Sequence, residues 1–225
     1  MKRAFTLAEV LITLGIIGIV AAMTLPMLIA NYQKKETVER LKKVYNNLLQ
    51  AIIMSEADNE SIEYWDFTLN SADFFTKYLQ KYMPNILNIR YSDIMNEVKY
   101  KRPNGTVESS FTLLAGSALV VSLKDGSLLY WNQTIYNHKT VCVDLNGLKK
   151  PNIIGRDFFC FSIVNNNSKK FVPYGAYGSS DMPMDDMTRE SAKKGSYACS
   201  RSGRGQFCSA LIMLDGWKIK DDYPW

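Results

Sequence analysis

The chain predicts an α+β fold, with a long N-terminal helix packed on an antiparallel β-sheet of about four strands. Three observations predict it. Residues 10–29 form a run of twenty positions with no charged side chain. Apolar residues at Val38, Leu41, Tyr45, Leu48 and Ile52 then recur every three or four positions, a helical period. From Ser117 onward, short β-branched and aromatic runs alternate with turn residues.

A twenty-residue helix is about 30 Å long, the thickness of a bilayer core. Lys2 and Arg3 precede the run, which orients the N-terminus to the cytoplasm, although Lys34, Lys35 and Arg40 follow on the far side. The run is too long for a secretory signal peptide, and no small-x-small exit follows it. Glu9 stands at its edge. A carboxylate there costs several kcal/mol unless paired, and no downstream Lys or Arg at helical spacing reaches it, so another chain is the simplest source of a partner. The amphipathic pattern after the run sets Lys34, Lys35, Glu39, Lys42 and Lys43 mostly opposite the apolar side. One helix over residues 6–58, roughly 80 Å long, accounts for both parts.

Ser71 caps a predicted helix over 72–82, which Pro84 stops, and residues 91–99 read as a second short helix. Strands are expected at 118–123 and 127–133, joined by the hairpin turn Lys124-Asp125-Gly126, and at 140–145 and 157–164. Residues 181–225 read as loops with short elements. Their ending, from Gly216 through Trp217 and Ile219 to Trp225, reads as a packed strand or edge.

The formal charge of +5 is too mild to mark a nucleic-acid binder by composition, and 47% apolar residues support a packed core. His138 is the only histidine, which disfavours His-rich metal sites and two-imidazole chemistry. No serine or cysteine nucleophile sits in a recognisable elbow, so no enzymatic activity is expected. Four cysteines allow three pairings. Cys142–Cys160 and Cys199–Cys208 give the smallest loops and are predicted, which requires an oxidising compartment; CxxC zinc spacing is lacking. Residues 144–157 place oxygen-bearing side chains around two glycines and a Pro-Asn pair. Asp144, Asn146, the Leu148 position, Asn152 and Asp157 form a candidate calcium set. The stretch is not an EF-hand, Lys149 and Lys150 oppose a cation, and an Asx turn with Asp157 as a cap is the alternative. Asp221 with Asp222, and Asp185 with Asp186, read as solvated pairs. Arg201, Arg204, Lys193 and Lys194 form a modest basic patch without interleaved aromatics, so nucleic acid is not an expected partner.

The stretch Lys2-Arg3-Ala4-Phe5-Thr6-Leu7-Ala8-Glu9-Val10-Leu11-Ile12 resembles the leader and mature N-terminus of type IV pilins and type II secretion pseudopilins. The resemblance implies removal of a leader, residues 1–4, by a prepilin peptidase that cuts between Ala4 and Phe5. Phe5 is then N-methylated. Glu9 is implied to pair with the amino terminus of a neighbouring subunit, which supplies the missing positive charge where a pair is stronger than in water. Ala4 departs from the family's usual Gly, and Ala8 from a larger apolar residue. Gly15, Gly18 and Pro26 fit the family pattern. The D-x-N-G…P-N-x-x-G-x-D stretch also resembles a loop of pilin-like proteins, among which calcium-stabilised loops occur.

By this resemblance, residues 5–30 are a transmembrane and assembly helix, 31–58 its amphipathic continuation, and 59–225 a periplasmic α+β domain. The mature charge becomes +3 once Lys2 and Arg3 are lost. The implied function is a structural subunit, pseudopilin or minor pilin, of a filament, with type II secretion expected ahead of a type IV or competence pilus. The implied partners are other pilin or pseudopilin subunits, the prepilin peptidase, the inner-membrane assembly platform and the inner membrane. The implied location is the bacterial inner membrane, single-pass, with the C-terminal domain periplasmic or extracellular. A single-pass anchor carrying a ligand-binding domain that does not polymerise is the alternative from another class.

Overall fold

The computed structural model describes residues 6–93, 97–109, 118–131, 138–166, 169–176 and 187–225. Helix α1 runs over Leu7–Asn59 with Pro26 inside it, one residue from the expected span at each end. The chain divides into two compact units, Met1–Glu36 and Thr37–Trp225.

In the first unit, α1 is long and apolar enough to cross a membrane. Leu11, Ile17, Met23 and Leu28 are exposed there. The hydroxyls of Thr13 and Thr24 turn inward on the backbone, Thr13 to the Val10 carbonyl and Thr24 to that of Val20, each at 2.9 Å. Neither hydroxyl is left to an apolar solvent that could not bond it.

In the second unit, the buried side of α1 is Val38, Leu41, Val44, Leu48, Ala51, Ile52 and Ser55, which takes in four of the five positions that the helical period predicts, the fifth, Tyr45, being partly buried against the same core. It packs on one face of a six-stranded antiparallel sheet of sequential order: β1 (Ile86–Ser92), β2 (Ala118–Leu123), β3 (Leu128–Trp131), β4 (His138–Asp144), β5 (Phe158–Val164) and β6 (Phe171–Pro173). Strand alternation sends Val121, Leu129, Val143 and Phe161 toward the helix and Val120, Tyr130, Cys142 and Cys160 to the opposite face. That opposite face carries a second core under Tyr100, Ile154 and Phe158, so neither face of the sheet centre is left to solvent.

Six strands replace the four expected. Of the helix expected over 91–99, Tyr91 and Ser92 are instead the end of β1, Glu97 is helical with its amide bonded to the Asp93 carbonyl at 3.3 Å, and 94–96 lie outside the described residues. β1 is an edge strand with mixed burial, so it lacks the clean alternation that marks a strand in sequence. β6 is three residues long, below the length of any periodic signal. Residues 132 and 133 of the expected second strand also lie outside the described residues.

Helix α2 spans Ser71–Tyr78, and Asn70, not Ser71, caps it: the Asn70 side chain accepts from the Ala72 and Asp73 amides. The end of the expected helix tightens into a 3₁₀ turn, Gln80–Tyr82. Helix α3 is Cys208–Leu214, and the expected C-terminal strand is instead a series of turns that buries Tyr223. Arg189 holds this region together by gripping Asp215 at 2.7 Å and Asp222 at 2.6 Å.

Candidate functional site

The start of α1 is built by its own sequence. Thr-x-x-Glu is a capping box, in which the first side chain and the fourth satisfy each other's backbone donors. Here the Thr6 amide and hydroxyl both donate to Glu9 Oε2 at 2.8 Å, and the Glu9 amide donates back to the Thr6 hydroxyl at 3.2 Å. The carboxylate is thereby fixed in the first turn, where helix N-terminal amides favour negative charge. Among the described residues no Lys or Arg pairs with it. The expected cleavage residues Ala4 and Phe5 lie outside the described residues. The expectation for Glu9 omitted Thr6, although the spacing itself carried the signal.

The second candidate is the loop from Asp144 to Asp157. Asp144, at the end of β4, accepts from the buried Tyr100 hydroxyl at 2.7 Å and from the Asn146 amide at 3.1 Å. Asp157 accepts from the Asn152 amide at 2.7 Å, the Ile153 amide at 2.6 Å and the Asn146 side-chain amide at 3.3 Å. Burial, with a smaller contribution from the Asp157 charge, pushes Asp144 up to about 7 against the Tyr100 hydrogen bond. Burial also raises Asp157, against its N–H donors.

The motif glycines have steric reasons. A Cβ at Gly147 (φ +67°) would lie 2.8 Å from the Gly126 carbonyl oxygen, and one at Gly155 (φ +85°) would lie 2.5 Å from Cys208 Sγ. The Tyr223 hydroxyl closes the loop by donating to the Gly155 carbonyl.

Four of the five candidate metal residues are thus brought together by the hydrogen-bond network. Leu148 is exposed at the turn and offers no side-chain oxygen. Two buried oxygens in this loop, Asn146 Oδ1 and Asn152 Oδ1, have no hydrogen-bond partner. Two carboxylates and two unpartnered amide oxygens are the hard donor chemistry that calcium takes. These carboxylates also fulfil the alternative Asx-turn role, because every carboxylate oxygen already accepts a protein hydrogen bond.

Cys142 and Cys160 are directly opposed in the β4–β5 register and bonded, and Cys199 is bonded to Cys208. His138 and Lys139 are buried in β4, with Lys139 Nζ donating to the Leu69 carbonyl. Of the acidic pairs, Asp222 is held by Arg189 and Lys193, while Asp185 and Asp186 lie outside the described residues.

Residues 27–225 match the model of a family described as "Family of unknown function (DUF6613)". Residues 1–25 match the prokaryotic N-terminal methylation motif, the prepilin-type signal of type IV pilins and pseudopilins. No curated protein and no solved structure matches the chain.

Proposed function

We propose that this chain, which belongs to the family of unknown function DUF6613 and begins with a prokaryotic N-terminal methylation motif, is a prepilin-type structural subunit that polymerises through α1 into a periplasmic or surface filament. The observation that carries the reading is the methylation motif over residues 1–25, with Glu9 held in the first turn of an apolar helix. A capped carboxylate at that depth gains most from a cation contributed by a sister molecule, because a low-dielectric setting strengthens the pair. The leader ends at Ala4 in this reading, and methylated Phe5 provides the amine. Among the machines that share this N-terminus, the proposal puts type II secretion first and a type IV or competence pilus second; co-purification with one assembly platform decides between them.

The Glu9→Ala variant tests polymerisation. We expect it to be membrane-inserted at wild-type levels while the sheared, pelletable filament fraction drops at least tenfold. An unchanged pelletable fraction would favour a plain anchor bearing a ligand-binding domain.

Calcium in the Asp144–Asp157 loop is a second, separable proposal, supported by the unpartnered Asn146 and Asn152 amide oxygens. Asp144, Asn146, Asn152 and Asp157 would hold the ion, which would supply positive charge to offset two buried carboxylates. Addition of 2 mM calcium after chelation, roughly saturating for an extracellular-grade site, should raise the melting temperature of the full chain. No difference from magnesium removes calcium from the account.

A further inference from the structure

Three separate segments meet in the second unit. Residues 98–106, 145–156 and 197–207 together carry eight cations: Lys99, Lys101, Arg102, Lys149, Lys150, Arg156, Arg201 and Arg204. None of the three contains an Asp or Glu, and the rest of the chain holds 19 Lys and Arg against 22 Asp and Glu. Glu97, Glu108, Asp144 and Asp157 stand within two residues of the segment ends; with these four acids counted, the stretches still carry +4 of the chain's formal charge of +5.

Backbone bonds and close packing hold them side by side. The Lys101 amide donates to the Asn152 carbonyl and the Ile154 amide donates to the Lys101 carbonyl, both at 2.8 Å. Gly205 sits against Pro103 and the Ile154 carbonyl, where a Cβ would come within 3.0 Å of the latter. In the first segment Val98 and Tyr100 are buried while Lys99 and Lys101 are exposed, as the alternation of an extended chain requires. Lys149, Lys150 and Arg201 are exposed as well.

One acid beside these segments, Glu108, is wholly buried. Glu108 takes Arg102 at 2.7 Å and lies 3.8 Å from Arg204, so one carboxylate orients two guanidinium groups and offsets only one of their charges. Two more contacts shape the face. Arg156 stacks 4.8 Å over the ring of Trp225 and Arg204 lies 5.8 Å from that of Tyr197. The fold thus supplies the aromatic neighbours that are absent from the linear spacing of the basic residues.

We propose that this face binds the phosphate backbone of nucleic acid, with DNA as the polyanion. A single anion would need a pocket. Eight cations spread over three segments instead match a repeating charge, and a guanidinium is a planar, bidentate donor suited to phosphate oxygens. An anionic membrane is the competing partner. It would need apolar side chains to insert, and among the described residues of these segments Leu148 is the one strongly exposed aliphatic side chain.

The test uses the full chain in zwitterionic nanodiscs and a labelled 30-base-pair duplex read by fluorescence polarisation. Wild type should bind at 50 mM salt and lose about a hundredfold in affinity by 200 mM, as roughly four phosphate contacts require. The variant Lys101→Glu/Lys149→Glu/Arg201→Glu takes one exposed cation from each segment and should lose at least tenfold. The control Lys42→Glu/Lys77→Glu/Lys218→Glu makes the same charge change elsewhere and should lose less than threefold. Equal losses in the two triple variants, or no duplex binding at 50 mM salt, overturn the proposal. So does co-flotation with phosphatidylglycerol vesicles that depends on the three patch cations while the duplex stays unbound.

Discussion

Asp157 shows how a single side chain can hold a loop that has no regular structure. Its two oxygens take the Asn152 and Ile153 amides and the Asn146 side chain, and it is almost fully buried. Asp157→Ala strands these donors away from water, at about 3 kcal/mol in total. Chemical denaturation should show that loss, with Asp157→Asn intermediate because it keeps one acceptor. His138 makes a second prediction at this scale. Burial, and then the neighbouring Lys139 charge, lower it to about 4, whereas an unfolded chain keeps its histidine near 6.5. Between those values the unfolded state binds the extra proton, so stability falls as pH drops from about 6.5 to 4. The wild type should lose more melting temperature over that interval than His138→Gln; parallel losses contradict the assignment. Much of this level was legible in the sequence, since the Thr6–Glu9 spacing, the cysteine pairing and the Asx-turn alternative all follow from local pattern. The Tyr100 hydroxyl on Asp144 was not, because 44 positions separate the two residues and only the β-sheet brings them together.

At the scale of elements, the long helix was readable because its second half buries one stripe with a helical period. The runs at β2, β4 and β5 were readable as short, nearly continuous apolar stretches, because both faces of the sheet centre are buried. β1 and β6 were not readable, since the sheet margins demand less burial and so leave a weaker pattern. Asn70 caps α2 instead of Ser71, a one-residue shift between two good capping types. The stripe itself is the stabilising contact between α1 and the sheet. Leu48 is fully buried within it, so Leu48→Ala should cost about 3 kcal/mol through lost burial and the cavity left behind. Ile53, one helix face away and half exposed, should cost less than about 1 kcal/mol when truncated in the same denaturation experiment.

At the scale of the whole molecule, a membrane-length apolar helix joins a disulfide-bonded α+β domain, and a prepilin-type motif stands at the start of the helix. Each part agrees with the others physically. The disulfides need an oxidising compartment, the apolar exposed helix needs lipid or other helices, and Glu9 needs a cation that no Lys or Arg among the described residues places beside it. The central claim is that the chain is processed into a polymerising subunit, and the most direct measurement is the intact mass and N-terminal sequence of protein purified from native membranes. The account predicts a mature chain that begins at N-methylated Phe5. A chain that still begins at Met1, without the methyl group, would contradict it.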